Sequence, residues 1–174
     1  MASGTITGSY TRTYYRIEIE WTSTPDVDNN RSSVTARVYL RIRDSGRLNF
    51  SANKNGNTTI NGSSSNWSYG SGVNGGAGRY LLHTRTINVS HDSDGKKRCR
   101  FDAWFDVNVT LSSGWMGRLS AGGTVDLDDI PRGVNWIRAS GSWRKGQNWI
   151  RASGSWRKAI AVWVRAGGSW RRSK

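Results

Sequence analysis

The chain has little of what usually braces or powers a small protein. One cysteine, Cys99, stands among 174 residues, so no intramolecular disulfide framework exists. Two histidines, His83 and His91, leave little for histidine-based catalysis or metal ligation. No apolar run approaches the ~20 residues that a membrane-spanning helix needs. The opening, MASGTITGSY, lacks a basic n-region and an apolar h-region, so no Sec-type signal is expected. That reading makes the chain a soluble product of a host cytoplasm, which works outside only as part of a larger particle. Stretches with helical amphipathic periodicity are scarce, and beyond Asp129 there is no acidic residue at all.

What is present is unevenly placed. Up to Pro131 there are fifteen basic and twelve acidic residues; beyond it there are eleven basic and none acidic. Six of the ten tryptophans also lie in that last segment. Such charge asymmetry points to a polyanionic partner: nucleic acid, an acidic membrane face or an anionic cell-wall polymer.

Alternation with period two runs through the first part. Tyr15, Ile17, Ile19 and Trp21 fall on one face of YYRIEIEW. Val34, Ala36, Val38, Leu40 and Ile42 form the apolar face of SVTARVYLRIR. In KRCRFDAWFDVNVTL, residues Cys99, Phe101, Ala103, Phe105, Val107, Val109 and Leu111 face inward, and Arg100, Asp102, Trp104, Asp106 and Asn108 outward. These are half-buried antiparallel strands. The segment 24–30 reads as a loop, and Asp44–Gly46, Asn55–Gly56 and Asn61–Gly62 as tight turns. Ser93–Lys96 reads as a hairpin link, and the Ser/Gly-rich stretch 63–78 as a mobile or binding loop. A strand near Gly123–Leu127 is expected to close the domain, with 128–133 as linker. Roughly seven to nine strands at this spacing predict an all-β fold. It is an antiparallel β-sandwich, Ig-like or jelly-roll, over 1–131, with three short β-hairpin repeats over 132–174.

The repeats read W-[IV]-R-A-[SG]-G-S-W-R-[KR]. NWIRASGSWRK occurs twice, and VWVRAGGSWRR follows as a looser third copy. A Ser-Gly or Gly-Gly pair sits midway between paired tryptophans, the mark of a two-residue hairpin loop. With Ser140-Gly141 as the loop, Ala139 opposes Ser142, Arg138 opposes Trp143, and Trp136 opposes Lys145. Trp136, Arg138, Trp143 and Lys145 then share a face, as do Trp149, Arg151, Trp156 and Lys158, and Trp163, Arg165, Trp170 and Arg172. Each indole meets a cation across the strands, a geometry suited to cation–π contact.

Enzymatic readings find no support. Cys99 faces the core by alternation, Glu18 and Glu20 share a strand face with Arg16 and read as a solvated charged surface, and no carboxylate pair suits glycoside hydrolysis. DSDG at 92–95 begins like a calcium loop, yet its twelfth position is Ala103. DLDD at 126–129 reads as a solvated linker. No catalytic residue, metal or cofactor is expected. The sequons at Asn57 and Asn61 reflect composition. Asn66, Trp67, Tyr69 and Trp104 supply aromatic faces and amides, and form a candidate glycan site against the plainer reading that they pack against neighbours.

The opening MASGTITGSYTRTYYRIEIEW, the strand NNRSSVTARVYLR and the segment TRTINVSHDSDGKKRCRF resemble a family of uncharacterised minor structural, tail-associated proteins of siphophages that infect Gram-positive bacteria. VWVRAGGSWRR is similar to the short VWVR-GG-WR repeats that end many phage tail proteins. The resemblance implies a virion component, of the tail or its tip, with other virion proteins as partners; capsid decoration or a head fibre is an alternative. It brings no catalytic residues. For the tail, assembly as a homo-oligomer, a trimer in particular, ranks first, because so many indoles in thin hairpins need burial. Binding of host surface polysaccharide or anionic wall polymer ranks second, and nucleic acid well behind.

Overall fold

A computed structural model describes residues 1–51, 53–131, 135–139, 142–146, 149–159 and 163–172. Its first strand, β1 (Ala2–Thr7), lies at the edge of a four-stranded antiparallel sheet with β2 (Tyr15–Asp26), β3 (Arg31–Ile42) and β8 (Gly78–Ser90), in that order. A second four-stranded sheet runs β10 (Gly114–Asp126), β9 (Arg98–Leu111), β5 (Lys54–Ile60), β6 (Ser63–Tyr69). A short ribbon pairs β4 (Leu48–Phe50) with β7 (Val73–Gly75). No helix occurs among the described residues. The body is an antiparallel β-sandwich.

The alternating residues make the core. Ile17, Ile19, Val34, Ala36, Val38, Leu40 and Ile42 of the first sheet are fully buried, and face Cys99, Phe101 and Phe105 of the second. Aromatic rings lock the layers: Trp21 meets Phe101 at 5.8 Å between centroids, and Phe50 meets Phe105 at 6.0 Å. Burial on this scale, at ~25 cal/mol per Å2 of apolar surface, is what holds a sandwich of this size together.

Four expectations are corrected. Asn55–Gly56 is no turn but lies inside β5, where the Trp67 indole covers Gly56 and leaves no room for a side chain. The stretch 63–78 is largely ordered strand, β6 and β7. Ser93–Lys96 does not close a hairpin, because β8 and β9 belong to different sheets; the chain arches across the sandwich there. The arch is held by hydrogen bonds from the Asp92 amide to the Lys96 carbonyl and from the Gly95 amide to the Asp92 carbonyl. Finally, the stretch after β10 is docked. Leu127 and Ile130 are buried, and the Ile130 amide donates to the Gly95 carbonyl. The strand expected near Gly123–Leu127 is the end of β10. Asn61–Gly62 is a tight turn as expected, with φ of 48° and 82° between β5 and β6, the signature of a type I′ hairpin.

Beyond the body the described chain forms three hairpins: β11 (Asn135–Ala139) with β12 (Ser142–Gly146), β13 (Trp149–Ala152) with β14 (Ser155–Lys158), and β15 (Trp163–Ala166) with β16 (Ser169–Arg172). The register is the expected one: Trp136 opposes Lys145, Arg138 opposes Trp143, and Ala139 opposes Ser142. Ser140-Gly141, the expected first loop, lies outside the described residues. Ser153-Gly154 (φ 49° and 78°) and Gly167-Gly168 (φ 60° and 81°) make the type I′ turns of the second and third.

Candidate functional site

Two surfaces stand out, one on the repeats and one on the body. In the second hairpin Trp149 faces Lys158 and Arg151 faces Trp156; in the third Trp163 faces Arg172 and Arg165 faces Trp170. Two strands of period two thus give a face on which indole and cation alternate in both directions. For Trp136, Arg138, Trp143, Lys145, Arg165 and Arg172 the structure describes this backbone register alone. Trp149, Trp156, Trp163 and Trp170 are 54–67% exposed. In the second hairpin, where the side chains of Trp149, Arg151, Trp156 and Lys158 are all described, neither cation lies over an indole, and both rings are exposed.

The second surface is the outer face of the β10-β9-β5-β6 sheet. Register sets one row across it: Ser120 opposes Trp104, Trp104 opposes Asn57, and Asn57 opposes Asn66. Asn57 Nδ2 donates to Asn66 Oδ1 at 2.7 Å. The next row runs Gly122, Asp102, Thr59, Ser64, with the two hydroxyls 2.6 Å apart. The Arg118 guanidinium lies 3.7 Å from the Trp104 ring centroid. It is held there by Asp106, to which it donates at 2.7 and 2.9 Å. Those hydrogen bonds keep the Asp106 carboxyl below the usual carboxylate range. On the other side of Trp104, Arg100 grips Asp102 with contacts of 2.6 and 2.9 Å. A groove of about 500 Å3 runs between Trp104, the Arg100–Asp102 pair and the end of β1.

The four residues of the candidate glycan cluster therefore part company. Asn66 and Trp104 share the outer face. Trp67 and Tyr69 turn inward, because β6 is a strand and alternation sends them to the core. Trp67 stacks between His83 (5.1 Å, 11°) and Phe105 (5.7 Å, 16°), and its Nε1 donates to Thr58 Oγ1 at 2.9 Å. Tyr69 packs edge-on against Phe50 and Phe105. Sequence reading missed Asn57, Asp102 and Arg118 as their neighbours. Asp102 and Trp104 are visibly on one outward face of β9, but which strands flank β9 is not a local property.

The groups weighed for catalysis have structural work. Cys99 is buried, which pushes its thiol up to about 11. Burial, then the charge of Arg85, lowers the pKa of His83. His91 donates from Nδ1 to the Gly95 carbonyl at 2.8 Å, so Nε2 accepts from the buried Ser32 hydroxyl at 2.8 Å. Glu18 is not solvated as expected: it is buried under Arg16 (2.7 Å) and Arg79 (3.0 Å). Glu20 pairs with Arg37 and Arg79. Asp92 pairs with Lys97, Asp126 with Arg98, and Asp128 with the N-terminal ammonium.

Residues 8–149 match a protein family described as siphovirus protein of unknown function (DUF859). The matched stretch covers most of the body and continues through the first hairpin. No curated protein and no solved structure matches the chain.

Proposed function

We propose that this chain, which belongs to the siphovirus protein family just described, is a structural component of the virion, associated with the tail or its tip. In this reading residues 1–131 form a body that displays a contact surface, and residues 132–174 attach the protein to its neighbours or to copies of itself, a trimer in particular. It acts by assembly and contact, without catalysis.

The observation that carries this is the exposure of Trp149, Trp156, Trp163 and Trp170. An indole buries ~150–250 Å2 when covered, so each half-exposed ring offers about 2 kcal/mol to whatever covers it. Repeated faces of one design favour repeated packing over a single small-ligand site. Their basic residues also suit a negatively charged partner, whether an acidic virion surface or the anionic wall polymer of a Gram-positive host.

Mass spectrometry and gold labelling of purified particles test the proposal. The expected result is label at the tail; label on the capsid would favour a decoration or head-fibre role. Absence from the particle would sink the virion reading. For the repeats, the full chain carrying Trp149→Ala, Trp156→Ala, Trp163→Ala and Trp170→Ala should fail to enter particles and sediment as a monomer, with the body's melting unchanged. Normal incorporation and an unaltered oligomer would remove the assembly role.

A further inference from the structure

We propose that the groove beside Trp104 is a binding site for a neutral saccharide, an activity beyond the structural role and independent of the repeats. The first reason is how the groove is made. Its floor is Gly8, Ser120, Ala121 and Gly122. A side chain at Gly122 would strike the Asp102 carboxylate, and one at Gly8 would strike the Ser120 carbonyl. Glycine at these two positions lets the end of β1 and the Asp102 carboxylate come close against β10, which sets the edges of the groove.

The second reason is what stands around it. Trp104 is half-buried and outward, and the Arg118 guanidinium, fixed by Asp106, braces one side of the ring. The indole is thus held in place where it lines the groove. Across from it Arg100 and Asp102 are locked together, presenting fixed donors and acceptors side by side. The Asn57–Asn66 amide pair continues the row beyond Trp104. A pyranose ring has one apolar C–H face and hydroxyls that both donate and accept. It matches an aromatic wall flanked by paired donors and acceptors, where a purely apolar ligand would strand them.

The third reason selects neutral ligands. Both arginines near Trp104 are neutralised by partners: Arg100 by Asp102 at 2.6 Å and Arg118 by Asp106 at 2.7 Å. Each pair carries no net charge, so neither arginine draws a polyanion as an unpaired cation would. Eleven of the chain's fourteen net positive charges lie beyond Pro131, so the two surfaces differ in chemistry as well as place.

The test uses the full chain and wall polysaccharide from the phage's host, stripped of phosphate with hydrofluoric acid, in titration calorimetry. The expected result is binding that added sodium chloride does not weaken. Trp104→Ala should reduce it about tenfold, the upper range for loss of one aromatic contact. Ser120→Tyr, which fills the groove and keeps the indole, should reduce it similarly; both sites are on the outer face, and melting curves check that the variants fold. The fourfold tryptophan variant of the repeats should bind as well as the parent. The proposal is overturned if the stripped polysaccharide is not bound. It is also overturned if both groove variants bind like the parent, or if binding needs the phosphate and falls with salt. A chain absent from particles that still binds through Trp104 would separate this site from the virion reading.

Discussion

The imidazole of His83, on the edge strand of one sheet, stacks on the indole of Trp67, on the edge strand of the other, with ring centroids 5.1 Å apart and 11° between the planes. The two sheets are thereby closed along one side by a pair of rings, where backbone pairing cannot reach. Arg85, two residues along β8, adds a clamp: it donates to the carbonyls of Thr58 and Ser63 at 2.7 and 2.6 Å, and to the Ser63 hydroxyl at 2.8 Å.

This closure is pH-sensitive in a defined direction. Burial, then Arg85, lowers the folded pKa of His83, so the unfolded chain binds a proton the folded one resists. Stability is therefore full above the unfolded value of about 6.5 and declines as pH falls through it toward the folded pKa. Thermal melts of the parent should drop between pH 8 and 5, and His83→Gln should show a smaller drop.

The Arg85 clamp depends on a fork. Arg85→Ala leaves two carbonyls short of a charged donor and should cost about 1.5–3 kcal/mol in urea unfolding. Arg85→Lys should recover little of it, since a single ammonium does not reproduce the planar spread of donors over three acceptors.

Gly56 tests the packing beneath Trp67. Any side chain there meets the indole. Gly56→Val should therefore destabilise by about 1–3 kcal/mol through overpacking, although valine favours strands. A neutral or stabilising result in the same unfolding assay would show that Trp67 is free to move.

The alternation of Ile17, Ile19 and Trp21, and of Cys99 through Val107, was readable directly, because one face of a sandwich strand must be apolar. Hairpin register was readable too: turn and strands lie within ten or so residues, and Trp136 against Lys145 follows from the loop alone. What could not be read is which strand lies next to which. Asn55–Gly56 has turn chemistry, but its glycine answers to Trp67 across the sheet. Ser93–Lys96 turns the chain without stating that β9 joins the opposite layer. The candidate site suffered from the same blindness. Trp67 and Tyr69 sit in a Ser/Gly-rich stretch that looks like loop, and only the pairing of β5 with β6 sends them inward. Asn57 comes beside Trp104 through that same long-range pairing.

The repeats carry their own prediction. Ser153-Gly154 and Gly167-Gly168 hold φ values of 49–81°, which cost a residue with a side chain about 1–2 kcal/mol. An isolated hairpin is marginal, so Gly154→Val should unfold the second hairpin alone. Amide exchange would show this as lost protection over β13 and β14, with the body unchanged.

The I′ turns also set an order of events. Arg31 must find Ser90 before the first sheet is complete, whereas Ala152 needs only Ser155, three residues on. Sandwiches assembled from distant pairs fold in milliseconds to seconds, and hairpins close in ~1–10 μs. The hairpins therefore close as soon as they leave the ribosome, behind a body whose residues were made first. In the assembly role proposed above, uncovered indoles would cluster in a crowded cell, and the unopposed positive charge of the same segment would hold copies apart until a negatively charged partner covers them.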